Sequence, residues 1–257
     1  MGDSMGHFYV WKFSRRNRLI TLLTLSLICA FILFLKPYQL LSVFSKEEES
    51  VAITRGDSKE NKVSLTFNIS WGDEKVHDIL KVLKENDIQA TFFLSGEWAE
   101  RHPQIVEKIA EQNHEIGMLG YRYESYVEQD IETVKKDIQE AIQIFNKLGF
   151  DHINYIRPPS GHFNDEILKT IEQIDLEAIH WSVHPNDWEN PGVTSITSHL
   201  HDNVDGGDII LMHASDSAKQ TAEALSQSIP HLQERDLKFV TLSELLDGIT
   251  LEKSIID

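Results

Sequence analysis

The sequence predicts an α/β domain with a parallel sheet wound as a barrel of seven β-then-α units, preceded by a single N-terminal transmembrane helix. Two observations carry this. From Val63 onward, short apolar runs alternate with amphipathic stretches of helical period, the pattern of strands that need a crossover helix to run parallel. Before that, residues 19–35 form a run of 17 positions without a charge, the lower limit for a bilayer-spanning helix.

The N-terminal run is flanked by Lys12, Arg15, Arg16 and Arg18 before it and by Lys36 and Pro37 after it. A cationic flank stays in the cytoplasm, so the C-terminal bulk is expected outside a bacterial cell membrane, held there by a single pass. A cleaved signal peptide is the alternative. No small-x-small site follows the run, and Phe31–Leu41 is bulky, which favours an uncleaved anchor. The chain then reads as a basic cytoplasmic segment (1–18), an anchor (19–35), a polar linker (36–62), a barrel domain (63–246) and a tail (247–257). Cys29, inside the apolar run, is the only cysteine; intrachain disulfides and paired-cysteine metal sites are excluded.

Charge is divided between these parts. Residues 1–46 carry a net +5, which leaves −22 of the total −17 on the remainder. An ectodomain so acidic does not bind nucleic acid through general electrostatics.

The elements follow in order. Val63–Phe67 is β-branched and aromatic, as a buried strand is. Glu74–Asn86 is a helix with Leu80, Val82 and Leu83 on its apolar face. Ala90–Leu94 is the second strand. Trp98–Gln112 is helical, with Pro103 tolerated in a first turn that begins after His102. Glu115–Met118 is a strand, and Ile131–Leu148 a helix stopped by Gly149. Ile153–Ile156, Ala178–Val183, Asp208–Met212 and Lys238–Thr241 complete the strands; Asp165–Ile174, Val193–Asp202 and Ala218–Arg235 are the helices between them.

Chemistry in parallel α/β folds gathers where strands end. The first strand runs into Asn68-Ile69-Ser70-Trp71-Gly72-Asp73, which alone reads as a β-to-α turn with Asp73 as N-cap. His114-Glu115 begins a strand; one His with one Glu is a weak metal signal, and a hydrogen-bonded loop histidine is the favoured reading. Arg157-Pro158-Pro159-Ser160-Gly161 is a rigid loop whose arginine can clamp an oxygen acceptor, or form a surface ion pair. Trp181 and Trp188 bracket a polar stretch, suited either to stacking on sugar rings or to packing. His213 ends the sixth strand, where a histidine can act as a general acid with Asp187 holding its other nitrogen; a satisfied core histidine is the alternative.

Taken together and in order, T-F-N, H-E-I-G, R-P-P-x-G, D-W and L-x-H resemble the polysaccharide deacetylases of the NodB-homology type, over Val63 to Leu246. I-S-W-G after the first strand, Trp98-Ala99-Glu100-Arg101-His102-Pro103 and the Gly207–Ser217 run are similar to the sporulation-associated PdaB-type group. The resemblance implies a distorted (β/α)7-type barrel and hydrolysis of acetyl groups on amino sugars. It also implies a divalent metal, commonly zinc, on one Asp and two His. It assigns Arg157, Asp187 and His213 to the catalytic machinery, with Asn68 at the position of the base. Trp71, Asp73, Tyr121, Pro158, Pro159, Trp188 and Leu211 are the expected substrate contacts.

The departures bear on mechanism. The three ligand positions hold Ile69, Leu119 and Tyr123. Ile and Leu have no donor atom, and a neutral phenol is a poor zinc ligand. Asn68 puts an amide where the family has a base. Ser70, Asp73, His114, Glu115 and His184 remain as donors for a different site. No metal or other cofactor is therefore predicted. The expected partners are a cell-wall glycan such as peptidoglycan and, through the N-terminal helix, a membrane. Three functions stay open: a glycan binder of degenerate site, an active deacetylase with a rearranged site, and a scaffold in spore-envelope assembly.

Overall fold

Period-two alternation sorts the side chains of the strands into two layers. In β1 (Lys62–Ile69), Val63, Leu65, Phe67 and Ile69 pack in the large cluster shared with the helices, and Ser64, Thr66 and Asn68 lie between them. In β2 (Thr91–Leu94), Phe92 and Leu94 join the helix-side cluster while Phe93 belongs to a second, smaller one. That smaller cluster, with Leu119, Tyr155, Ile179 and Ile209, fills the inside of the sheet.

The computed structural model describes residues 50–247, together with residues 16, 20, 23, 24, 26, 27 and 31. Seven parallel strands form one sheet in the order β5-β4-β3-β2-β1-β6, with β7 beside the start of β1. The others are β3 (Glu115–Met118), β4 (Tyr155–Ile156), β5 (Glu177–Ala178), β6 (Ile209–His213) and β7 (Lys238–Phe239). The chain after β5 returns to β6, where Val183 bridges Ile210 in parallel. The helices are α1 (Lys75–Glu85), α2 (Gly96–Arg101), α3 (Pro103–Glu111), α4 (Ile131–Lys147), α5 (Asp165–Glu172), α6 (Val193–Asn203), α7 (Thr221–Glu234) and α8 (Leu242–Leu246). Every predicted strand is present. The predicted helix over 98–112 is two, broken at His102, because Pro103 starts a new helix rather than continuing the old one.

The reading of 36–62 as a linker needs correction at its described end. Ile53 bridges Ile179, Arg55 bridges Asp208, and Ala52 and Ile53 are buried. The Arg55 guanidinium reaches the buried Asp208 carboxylate at 2.9 Å. This segment lies against both β5 and the start of β6, and so helps to complete the sheet. Its apolar residues are too few and too closely flanked by charge to stand out in the sequence.

Among the described residues no helix is long and apolar enough to cross a membrane. The predicted anchor over 19–35, with Cys29, and the tail beyond residue 247 fall largely outside the described residues.

Candidate functional site

Parallel pairing of β1 with β6 puts Asn68 directly beside His213 in the register. Both stand where their strands end. Arg157 directly follows β4, and its backbone N–H donates to the Met118 carbonyl at the end of β3. Three of the predicted site residues are thus brought to one end of the sheet by topology alone.

Arg157 is fully buried. Its Nη1 donates to Asn68 Oδ1 at 2.9 Å, and its Nη2 to Thr66 Oγ1 at 2.9 Å and the His180 carbonyl at 3.0 Å. The guanidinium lies over the Phe93 ring, 4.2 Å from its centroid. All its partners are neutral, and its Nε has none among the described residues. Burial pushes the guanidinium down to about 9, which still leaves it charged near neutrality.

Asp187 is also fully buried. Its Oδ2 accepts from the His213 backbone N–H at 2.8 Å and from Thr221 Oγ1 at 2.6 Å. Its Oδ1 pairs with His213 Nδ1 at 2.9 Å. A carboxylate can only accept, so Nδ1 carries the proton and Nε2 is left turned away from Asp187. The His213 side chain is 16% exposed. This is an oriented imidazole with one nitrogen open to a ligand, an arrangement able to give or take a proton.

The loops around it are pinned from a distance. Asp216, after β6, accepts three backbone N–H groups at the start of α1, those of Asp73, Glu74 and Lys75, at 2.8–3.2 Å. The expected cap, Asp73, contributes no capping side chain; the N-cap is Glu74, with no cap of its own either. Gly72 sits at φ +79, and a Cβ there would meet the Asp216 carboxylate at 2.2 Å. The turn that presents Trp71 therefore requires glycine. On the next loop, Asp137 of α4 accepts from Tyr121 N and Arg122 N at 2.9 Å each and from Tyr126 Oη at 2.7 Å. Trp188 stands on a 3-10 turn whose flanks, Asn186 and Asn190, are both left-handed, and Asn190 is tied to Ser217 and Lys219. Asp137, Asp216 and Thr221 escaped the sequence reading. Only Asp137 left a signal, as a carboxylate on an otherwise apolar helix face between Val134 and Ile138.

Not every predicted contact offers a surface. Trp71 is 64% exposed and Trp188 49%. Leu211 is 2% exposed, and Pro158 and Pro159 are buried, so these three support the site from beneath and present no side chain to a ligand. Tyr121 donates its hydroxyl to Glu100 and packs its ring on α2 at Gly96. His114 and Glu115 begin β3, at the opposite end of the sheet from His213. There Glu115 accepts from Thr91 and from Ser243 of α8, so both leave the list of candidate ligands. His184 joins the site instead. Its ring is 5.7 Å from that of His213, and its Nε2 is buried with no partner among the described residues. Burial pushes its imidazole down to about 4.

The three positions at which the family would hold its metal do not fit one. Ile69 and Leu119 are 0% exposed; Ile69 packs in the helix-side cluster and Leu119 in the interior one. Neither has a lone pair to offer, and the third position is a phenol.

A family profile described as polysaccharide deacetylase matches residues 55–179. A peptidoglycan-N-acetylglucosamine deacetylase of Bacillus cereus is 33% identical over 194 residues, covering 74% of this chain and 90% of that protein. Among solved structures, a CE4 family pseudoenzyme from Bacillus anthracis superposes with a TM-score of 0.73 at 30% identity, over 77% of this chain and 69% of that one. A mutant of that pseudoenzyme with restored enzymatic activity superposes with the same TM-score and identity, over 77% and 72%. By these likenesses the chain belongs to the polysaccharide deacetylase family.

Proposed function

We propose that this protein binds cell-wall glycan of the peptidoglycan type through the groove of a distorted (β/α)7 barrel, without hydrolysing it. The observation that carries this is the pair of fully buried hydrocarbon side chains, Ile69 and Leu119, at two of the family's ligand positions. A bound metal supplies hydroxide near neutrality and polarises the acetyl carbonyl, and these residues cannot hold it. Asn68 cannot serve as a base either, because an amide takes no proton near neutral pH, and its oxygen already accepts from Arg157. Exposed Trp71, Trp188 and Tyr123 supply flat apolar faces for sugar rings. Peptidoglycan-type amino sugars are the substrates named for the Bacillus cereus relative, which supports that class of ligand here.

The setting belongs to the same proposal. Residues 19–35 anchor the chain in a bacterial cell membrane with the domain outside the cytoplasm, in sporulation. Ile20, Leu23, Leu27 and Phe31, which are helical and 54–76% exposed, give that segment an apolar face at helical spacing.

A second reading, hydrolysis through a rearranged site, draws on the His213–Asp187 pair, which is intact. One experiment separates the two. The full chain is incubated with N-acetylglucosamine oligomers and with peptidoglycan, and both binding and released acetate are measured. Saturable binding with no acetate is expected; acetate release that disappears in His213→Ala establishes the second reading instead.

A further inference from the structure

We infer that His184, Asp187 and His213 form a binding site for a divalent ion of zinc's class, built from residues other than the family's ligand positions. Each of the three offers one ligand atom, and these atoms lie within 4.8 Å of one another. Donors about 2.0–2.2 Å from one zinc ion stand roughly 3–3.5 Å apart. His213 Nδ1 and Asp187 Oδ1 stand 2.9 Å apart; the ion takes the place of the proton that Nδ1 gives to Asp187, so binding releases one proton. The other two pairs lie within 4.8 Å, and metal spacing requires the His184 ring, on the loop after β5, to turn toward them.

Two independent features point to a ligand here. The first is the buried Nε2 of His184, which has no partner among the described residues; a buried polar atom in that state calls for one. The second is the support of the carboxylate. Thr221 and the His213 backbone N–H fix Oδ2, which leaves Oδ1 oriented toward the two imidazoles, as outer-shell bonds orient metal ligands. Two imidazoles and a carboxylate suit zinc, cobalt or nickel and not calcium or magnesium. The partly exposed edges of His184 and His213 give the ion an entry path and solvent for its fourth position. An ion bound this way engages the His213 ring as a ligand, so the inference does not depend on glycan hydrolysis.

The test titrates the metal-free full chain with zinc chloride by calorimetry and reads the thermal midpoint alongside, with calcium and magnesium chloride as controls. One zinc per chain and a raised midpoint are expected, with no response to the controls. His184→Ala and His184→Asn, checked for folding by circular dichroism, should each weaken zinc at least tenfold. His201→Ala, at the separate His201–His231 stack, should bind as the natural chain does. The inference is overturned if the natural chain takes up no zinc, if both folded His184 variants bind it undiminished, or if zinc is lost in His201→Ala instead. Zinc uptake without acetate release leaves the glycan-binding proposal standing. Glycan binding without zinc uptake removes only this inference.

Discussion

Arg157 donates to Asn68 at 2.9 Å inside the domain, a buried cation on a neutral amide. Among the described residues no carboxylate lies within ion-pairing distance of that guanidinium. Removing one partner of a buried ion pair usually destabilises strongly, because a bare charge remains. Here the reverse change is available. Asn68→Asp places a carboxylate oxygen where the amide oxygen is and converts a neutral acceptor into a charge-assisted one. The expected result is a gain of about 1–3 kcal/mol in urea unfolding at pH 7. An unchanged or lower midpoint shows that the Arg157 charge is already compensated.

That substitution alone should release no acetate, because the metal positions are the larger defect. The expected route to activity is Asn68→Asp together with Ile69→Asp, Leu119→His and Tyr123→His. It comes with a loss of several kcal/mol in stability, since Ile69 and Leu119 are 0% exposed and polar groups there must find partners. Zinc-dependent acetate release by the fourfold variant and none by Asn68→Asp supports the assignment of these positions. Strong recovery from the single change refutes it.

Trp71 and Trp188 are large, exposed and held on turns that other residues fix. Each indole face should contribute roughly 1–1.5 kcal/mol to a stacked sugar. Trp71→Ala and Trp188→Ala are therefore expected to weaken N-acetylglucosamine oligomer binding by about tenfold each, with folding stability changed by less than about 0.5 kcal/mol. Affinity that survives both changes moves the glycan to another face.

How much of this was legible follows from where each signal is stored. The strands showed because Val63–Phe67 alternates apolar with small hydroxyl residues and Ile209–Met212 is apolar throughout, and every one of these residues is buried, as in strands covered on both sides. The juxtaposition of Asn68, Arg157 and His213 showed only as motif order, and the register of β1 on β6 turned order into contact. Pro103 marks a helix start after His102, but the run reads as one stretch from Trp98, so the separate short helix Gly96–Arg101 did not show. Leu211, Pro158 and Pro159 were misjudged because a motif position does not reveal which way a side chain faces. Asp216 left no trace at all: its partners lie more than 140 residues earlier in the chain.

Asp216 carries a prediction of its own. Three N–H groups that α1 cannot satisfy internally converge on one carboxylate, which also places negative charge at the positive end of the helix. Asp216→Ala should cost about 1–3 kcal/mol and weaken glycan binding, because the same contacts hold the Trp71 turn. Asp216→Asn, which keeps one acceptor oxygen, should fall between. Equal stability of all three proteins in urea shows that water replaces the carboxylate at no cost.

His114 sets an acid limit. Its side chain is 6% exposed, its Nδ1 accepts from the Ala90 N–H at 3.2 Å, and burial pushes its imidazole down to about 4. A free histidine takes its proton near pH 6.5. The folded state therefore binds that proton less readily than the unfolded state does. Its contribution is complete above about pH 6.5 and is lost as pH falls toward 4, at up to about 1.4 kcal/mol per unit. Between pH 7 and pH 5 this amounts to about 2 kcal/mol. His184, shifted by burial in the same direction, adds to the slope in the natural chain, so one variant isolates one histidine. In His114→Asn an amide oxygen can still accept from Ala90 while nothing titrates. The stability of this variant should fall less between pH 7 and pH 5 than that of the natural chain, by that amount. Parallel pH profiles for the two proteins show instead that His114 takes up its proton as easily folded as unfolded.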